Sequence, residues 1–259
     1  MKRIIGLASV IAVCIAAFSG CSSVKPNEVF TKADLENKTI GVQQGTTGDT
    51  YASDVAGAKI EKYKKGADAI QALKQGKVDA VIIDNEPAKV FIEKNDDLKI
   101  LEEEFVTEEY AIALKKGSEL TEPINQALKE LKEDGTLAQI EKNWIGDEAG
   151  QYPYTSPEGV DRSKGQIVMA TNAQFPPYEL IDNNKIVGYD VDMMQAVCDK
   201  LGYELKIDDI DFDSIIPSIN SGKADVGVAG MSVTEDRLKN VDFSDSYTTA
   251  TQVIIVRKA

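Results

Sequence analysis

The turn after the first apolar stretch of the folded chain has residues that could bind an anion. Residues 42–48 read Val-Gln-Gln-Gly-Thr-Thr-Gly, with Gln43 near the start and Thr46 and Thr47 in the turn. Such a turn between a strand and a helix presents backbone N–H groups where an anion is favoured. Threonines in these turns also cap helices. The turn therefore indicates either a carboxylate site or a helix cap.

A second candidate is Arg237, at the end of the segment Gly-Met-Ser-Val-Thr-Glu-Asp-Arg that begins at Gly230. Thr234 predicts a helix start, where the helix dipole disfavours a cation. A residue placed against its local preference favours a functional role. A guanidinium can hold a carboxylate through two parallel hydrogen bonds. The alternative is a surface ion pair with Glu235 or Asp236.

Aromatic residues lie at loop positions after two further strands. Phe175 belongs to the proline-containing loop that follows residues 166–171, and Phe212 lies between Asp211 and Asp213. The two rings could enclose an aliphatic or planar side chain, although isolated phenylalanines are more often core residues.

Strands and helices alternate along the chain, which predicts mainly parallel sheets with helices on their faces. Apolar periodicity predicts strands at 39–43, 78–83, 109–114, 166–171, 224–229 and 252–256, and helices at 67–75, 123–131, 137–144, 192–201 and 214–221. Cys198 falls in the helix at 192–201 and is expected to be buried packing.

An internal repeat indicates two lobes of related topology. Residues 71–84 and 217–230 each read as a helix, a Gly-Lys turn, an aspartate and a short apolar strand. The alternative is that any helix–strand unit has this pattern. Ligands of open α/β sheets bind beyond the carboxyl ends of the strands. Asp84 and Gly230, which end the two repeats, are therefore expected to face each other across a cleft.

Together these residues predict a site for a zwitterion. Arg237 and the Thr46–Thr47 turn would hold a carboxylate, and Asp84, Ser232 and the Gly230 carbonyl would hold an ammonium. Burying both charges is tolerable only if each is paired and hydrogen-bonded.

The composition excludes several other functions. The chain has no histidine and three cysteines, so histidine-dependent catalysis is excluded and a zinc site of the usual ligand types is not expected. No metal, cofactor or catalytic residue is predicted. The net charge of −14 argues against nucleic-acid binding, which needs basic patches, and favours a role in solubility.

The N-terminus has the pattern of an export signal. Lys2 and Arg3 precede an apolar run from Ile4 to Phe18, too short to span a membrane, and Ser19-Gly20 leads to Cys21. This ending resembles a bacterial lipobox, so 1–21 is predicted to be a lipoprotein signal peptide, Cys21 the lipidation site and 22–27 a tether. The alternative is an ordinary signal peptide with a chance cysteine.

At larger scale the sequence resembles the polar amino-acid binding proteins of ABC importers, the family 3 extracellular solute-binding proteins. The resemblance rests on Thr-Asn-Ala-Gln-Phe-Pro-Pro-Tyr from Thr171, Gly-Tyr-Asp-Val-Asp from Gly188, the segment ending at Arg237, and Val-Gln-Gln-Gly-Thr-Thr from Val42. It implies a type II periplasmic-binding-protein-like α/β fold, two lobes of mainly parallel sheet with the ligand cleft between them.

The resemblance also implies roles for individual residues. Arg237 stands at the position of the arginine that binds the ligand's carboxylate in the family, and Asp84 at the position of the acid that binds its ammonium group. The remaining expected ligand-binding residues are Ser232, Gly230, Thr47, Thr46, Phe175, Phe212, Asn172, Gln43 and Met231. Asn172 stands where family members that bind cationic or amide side chains often have aspartate, which counts against a simple lysine or arginine assignment.

The order of the blocks is rotated relative to the family. The 41–146 half normally follows the 166–258 half, so the sequence indicates a circular permutation, with 147–164 as the linker between the former ends. The alternative is a piece of a tandem array. Lobe II is predicted to span 28–113 and lobe I 114–259, with one of the family's two interlobe crossings opened by the new ends.

The resemblance implies an extracytoplasmic, membrane-anchored and monomeric binding protein that delivers a free polar or basic amino acid to ABC permease subunits. A sensor subunit for a membrane receptor is an alternative. A dehydratase-type enzyme on the same fold is another, since fold alone does not fix function. Such an enzyme would need a general acid, and the candidate loops offer none beyond Asp84.

Overall fold

The computed structural model describes residues 24–258. The predicted signal peptide, Cys21, the start of the tether and Ala259 lie outside the described residues. The strands are β1 (Thr39–Gln43), β2 (Lys59–Tyr63), β3 (Ala80–Asp84), β4 (Leu98–Ile100), β5 (Thr107–Tyr110), β6 (Ala113–Lys115), β7 (Gln166–Thr171), β8 (Gln174–Phe175), β9 (Glu179–Asp182), β10 (Lys185–Val187), β11 (Glu204–Asp209), β12 (Val226–Gly227), β13 (Val241–Phe243) and β14 (Thr248–Arg257).

Eight α-helices connect or flank these strands within residues 24–258: α1 (Thr47–Ser53), α2 (Gly66–Lys74), α3 (Asn85–Glu93), α4 (Thr121–Glu133), α5 (Thr136–Trp144), α6 (Tyr189–Leu201), α7 (Ile215–Asn220) and α8 (Glu235–Leu238). Cys198 is fully buried in α6, as predicted. In this part of the chain no helix has the length and apolar character needed to cross a membrane.

The strands form one main sheet in each lobe. The lobe II sheet has the order β2-β1-β3-β14-β4, with β5 paired to β14, and the lobe I sheet has the order β11-β7-β12-β6-β13. The three strands β2-β1-β3 and the three strands β11-β7-β12 are parallel, and the remaining pairings in both sheets are antiparallel. The two-lobed α/β fold is confirmed, with mixed sheets whose parallel halves end at the cleft.

The predicted lobe boundaries do not hold for the last strand. β14 pairs with β3 and β4, with Gln252 opposite Asp84, so residues 252–257 belong to lobe II. The physical reason is burial: residues 252–257 are buried without interruption, which is typical of a strand inside a sheet and not of an open end.

Both crossings between the lobes are therefore present. One runs from β5 to β6 and the other from β13 to β14, and β5 pairs antiparallel with the first four residues of β14 to form a two-stranded hinge. The predicted single strand at 109–114 is divided by this crossing, because Ala111 donates its N–H to the Met231 carbonyl while Ile112 donates to the Ser244 hydroxyl (3.0 Å).

The internal repeat has the same geometry in both lobes. Gly76 and Gly222 take positive φ angles of 68° and 74°, which only glycine adopts readily, at the turn before β3 and β12. Asp79 then bonds both backbone groups of Thr39 in β1, and Asp225 bonds both backbone groups of Val168 in β7. Each aspartate thereby fixes the register between two neighbouring parallel strands, which places the ends of β3 and β12 at the cleft.

The linker at 147–164 has no helix or strand, as predicted, but it is bound to lobe I. Arg162 donates twice to Asp199 of α6, and the Tyr154 hydroxyl donates to the same carboxylate (3.0 Å). Burial raises the pKa of Asp199, but its hydrogen bonds more than offset this effect and the net pKa lies below the usual range.

Candidate functional site

Asp84 and Gly230 meet at the ends of β3 and β12, as the repeat predicted. The Asp84 carboxylate is buried and accepts hydrogen bonds from the Tyr110 hydroxyl and from Gln252 Nε2 (2.7 Å). Burial, together with the negative charge of Glu108, raises its pKa to about 7 against these two opposing hydrogen bonds. A side chain at Gly230 has no room, since its Cβ would lie 2.8 Å from the Phe175 ring.

Arg237 reaches the cleft from lobe I. Its guanidinium donates to the Ser232 carbonyl (2.8 Å) and, across the cleft, to the Gly45 carbonyl (3.1 Å), and it lies 5.4 Å above the Phe212 ring. Asp236 forms an ion pair with Lys239 (3.0 Å) and not with Arg237, so the alternative of a surface ion pair between Arg237 and Asp236 is wrong. Burial lowers the pKa of Arg237, and the charges of Glu108 and Asp84 oppose this shift.

The Gly-Thr turn after β1 serves as a helix cap. The Thr46 hydroxyl donates to the Gln43 carbonyl (2.8 Å) and accepts the Asp49 N–H at the start of α1 (3.3 Å). Thr47 is buried, and its hydroxyl donates to Glu108 (2.8 Å). The hydroxyl groups of both threonines are thus already bonded within the protein.

Glu108 is a central residue that the sequence prediction missed. It is 7% exposed and accepts hydrogen bonds from Thr47, Ser232 and Gln252 at Oε2 and from the Tyr51 hydroxyl at Oε1. The alternation along β5 contained the signal, because Glu108 shares the buried face of the strand with Tyr110. The predicted strand began one residue too late to include it.

The far wall of the site contains a polar pair between the lobes. Gln43 Nε2 donates to Asn172 Oδ1 (3.0 Å), and Asn172 Nδ2 donates to the Ile210 carbonyl (2.8 Å). Both side chains are buried, and the side-chain amide oxygen of Gln43, Oε1, has no partner among the described residues. An unpartnered buried acceptor of this kind favours a donor group on a bound molecule.

Glu179 is the second acid that the sequence prediction missed. It is fully buried, and its carboxyl hydrogen-bonds to that of Asp190, so one of the two acids holds a proton. Burial and the neighbouring carboxyl of Asp190 raise its pKa well above the usual range. Burial also raises the pKa of Asp190 to about 6, although the Gly230 N–H and the Tyr247 hydroxyl both donate to it. A cation beside Glu179 would favour its ionised form.

These groups surround two connected parts of the cleft. The inner cavity has a volume of about 10 Å³ and is lined by Gln43, Thr46, Thr47, Asp84, Asn172, Phe175, Glu179, Phe212, Ala229, Gly230, Ser232 and Arg237. An outer pocket of about 390 Å³ also contacts Arg237, Phe212 and Thr47, and Met231 lies there. The structure thus places Met231 in the outer pocket and the rest of the predicted ligand-binding residues around the inner cavity.

The two lobes touch at the mouth of the cleft. Gln44 and Lys64 of lobe II both donate to the Asp213 carboxylate of lobe I, at 2.8 Å and 2.9 Å. The inner cavity is too small for an amino acid in this arrangement, so entry of one requires the lobes to separate at these contacts.

Comparison with known proteins gives matches on both sides of the linker. The bacterial extracellular solute-binding proteins, family 3, match residues 53–147 and 167–259. The arginine-binding extracellular protein ArtP of Bacillus subtilis is 38% identical over 104 residues, 40% of this chain and 41% of ArtP. The probable histidine-binding protein of Neisseria gonorrhoeae is 37% identical over 91 residues, 35% of this chain and 34% of that protein.

A further relative and a solved structure complete the comparison. The L-cystine-binding protein TcyJ of Escherichia coli K12 is 34% identical over 127 residues, 47% of this chain and 48% of TcyJ. An ancestral arginine-binding protein bound to arginine is 48% identical over 32% of this chain and 37% of its own, with a TM-score of 0.31. The chain spans less than half the length of these relatives. Because the family profile matches well over half of the chain, this protein belongs to the bacterial extracellular solute-binding proteins, family 3.

Proposed function

We propose that this protein captures a free amino acid with a cationic side chain outside the cytoplasm and delivers it to the permease of an ABC importer. The observation that carries the proposal is the inner cavity, where the Arg237 guanidinium of lobe I and the Asp84 carboxylate of lobe II come together. A zwitterion bridging them would pair both of its charges and hold the lobes closed.

The cationic side chain is inferred from Glu179. This acid is buried at the cavity wall beside a second acid, Asp190, and Phe175 and Phe212 line the same cavity. A buried acid is most easily ionised beside a cation. The names of the relatives support this assignment, since two of them are called arginine- and histidine-binding. Asn172, which alone counted against a basic ligand, is engaged with Gln43 and Ile210.

The same proposal includes a lipid anchor, a monomeric state outside the cytoplasm and a circular permutation. Cys21 would carry the lipid that anchors the protein to the membrane, and the rotated order of the two halves would be the permutation. The chain ends support the permutation, because Val24 packs against Gly76 while Arg257 donates to the Leu73 and Val78 carbonyls of the same turn.

An enzyme of the dehydratase type is the second candidate. Such an enzyme needs a general acid, and Glu179 is a buried acid with a raised pKa that the sequence analysis did not identify. Incubation with the bound amino acid distinguishes the two functions. A binding protein returns the amino acid unchanged in the NMR spectrum, whereas an enzyme forms product. A sensor subunit would bind the same ligand, and neighbouring permease and ATPase genes distinguish transport from sensing.

The assignment of the α-groups is tested by Arg237→Ala and Asp84→Asn. Removing one partner of a buried charge pair costs about 3–5 kcal/mol, so each variant should bind the amino acid at least ~100-fold more weakly by calorimetry. Lys239→Ala is the matched control, since Lys239 is an exposed cation just after α8. Wild-type affinity in either site variant would contradict the assignment.

A further inference from the structure

Glu108 lies where the two lobes and the hinge meet. Its Oε2 atom accepts a hydrogen bond from Thr47 Oγ1 of lobe II (2.8 Å) and another from Ser232 Oγ of lobe I (3.0 Å). The Gln252 side chain donates to the same oxygen (3.0 Å), and the Tyr51 hydroxyl donates to Oε1 (2.7 Å). One buried carboxylate therefore gathers four donors from both lobes.

These bonds determine what the two hydroxyl groups can offer a ligand. An ionised carboxylate only accepts, and a hydroxyl has one proton to give. The protons of Thr47 and Ser232 are thus directed at Glu108, and both oxygens face the rest of the site with lone pairs alone. The Thr47 oxygen also accepts from Gln252 Nε2 (3.1 Å). Neither hydroxyl can donate to a carboxylate in this arrangement, whereas both can accept from an ammonium.

We propose that Glu108 is a positioning residue for amino-group recognition, which fixes the Thr47 and Ser232 hydroxyls as acceptors for the ligand's α-ammonium. Asp84 lies beside them and supplies the negative charge, since Gln252 Nε2 bridges its carboxylate to Thr47 and Glu108. The α-carboxylate then depends on Arg237 and backbone N–H groups, without the Thr47 hydroxyl. This inference rests on the proposed function, because it presumes an amino-acid ligand.

The test compares L-arginine with its des-amino analogue, δ-guanidinovaleric acid, which keeps the carboxylate and the guanidinium. Calorimetry on the full chain gives the ratio of the two dissociation constants. Glu108→Met keeps the length of the side chain but removes both acceptor oxygens, which frees the Thr47 and Ser232 hydroxyls to turn their protons towards the ligand. We expect the preference for L-arginine over the analogue to fall by about tenfold or more. Glu109→Met, at the exposed neighbouring position on β5, should keep the wild-type ratio.

A second pair of variants decides the question if Glu108→Met does not fold. Thr47→Val removes the hydroxyl while keeping the shape of the side chain. It should weaken L-arginine binding about tenfold and leave the analogue's affinity within about twofold. Thr47→Ser should restore both values. Equal weakening of both ligands in Thr47→Val would show that the hydroxyl serves the carboxylate and would overturn the inference.

The remaining outcomes separate this inference from the proposed function. L-arginine binding by the unaltered protein, with a wild-type ratio in Glu108→Met, contradicts the role of Glu108 alone. No binding of L-arginine, L-lysine or L-histidine by the unaltered protein contradicts the proposed function, and the inference with it.

Discussion

Asp84 and Arg237 could be predicted from the sequence because each stands at a position with a strong local signal. Asp84 ends an apolar strand within a repeat, and Arg237 lies in the first turn of a helix that disfavours it. Glu108 has only the weaker signal of alternation with Tyr110, just before the predicted strand, and Glu179 is one acid among several in an acidic chain. Their importance comes from burial, which depends on how strands of both lobes pack.

Amino-acid binding should depend on pH because of Asp84. Its pKa of about 7 in the folded protein means that the ammonium must displace a proton at lower pH. We expect calorimetry to give constant affinity above about pH 8 and a loss of up to ~tenfold per pH unit below about pH 7. Release of a proton from Glu179 by a cationic side chain would act in the same direction.

Asp84 also makes the stability of the ligand-free protein depend on pH, in the opposite direction: stability falls as the pH rises, whereas affinity increases. Its pKa is raised above the ordinary value of 3.8, so the folded state holds the proton more tightly than the unfolded chain does. The contribution of Asp84 to the free energy of unfolding is therefore present below about pH 4 and is lost as the pH rises through about 7. Asp84→Asn should remove this dependence in urea unfolding.

The prediction for ligand binding has its own contrary result. An affinity for the amino acid that stays constant between about pH 5.5 and 8 would contradict the account of Asp84.

At the scale of elements, periodicity located most helices and strands but not the connections between sheets. The helix at 137–144 and the strands at 39–43 and 166–171 agree closely with α5, β1 and β7. The hinge was less predictable, because residues 110–114 form one apolar run although the chain changes sheet at Ala111. β14 was placed in the wrong lobe for a related reason: a buried apolar strand does not specify which sheet it joins.

The positions of the chain ends give a prediction about the permutation. Joining the C-terminal end of β14 to Asn27 through a short Gly-Ser linker, and opening the chain between the exposed Gly150 and Gln151, should yield a folded protein. Both new features avoid the buried core and keep the Arg162–Asp199 pair. We expect L-arginine affinity within about threefold of the original. Opening the chain within buried α6 is the control and should prevent folding; failure of the first variant as well would contradict the permutation proposal.

For the whole molecule, the fold class and the two lobes could be predicted, while the division of the chain between lobes could not. The repeat at 71–84 and 217–230 carries the information about topology, as the matching Asp79 and Asp225 contacts show. Which lobe receives the C-terminal strand depends on long-range pairing with β3, for which no local pattern exists.

The lipid anchor proposed for the whole molecule is at Cys21, which lies outside the described residues. Because a lipobox cysteine is the attachment point, Cys21→Ser should release the protein from the membrane fraction or leave it unprocessed. Fractionation and gel mobility measure both results. Cys14→Ser, within the same predicted signal peptide, is the control and should change neither. Unchanged membrane association and mobility of Cys21→Ser would contradict the anchor.

The central claim is that the cavity between Arg237, Asp84 and Glu179 binds a free amino acid with a cationic side chain. Calorimetric titration of the unaltered protein with each of the standard amino acids tests it most directly. We expect a cationic amino acid to bind with a dissociation constant of about 1 μM or lower, corresponding to about −8 kcal/mol. Acidic and small neutral amino acids should bind at least ~100-fold more weakly, because neither supplies a cation to pair with Glu179 and an acidic side chain would lie against the carboxyls of Glu179 and Asp190. Binding of no amino acid, or a preference for an acidic one, would contradict the account.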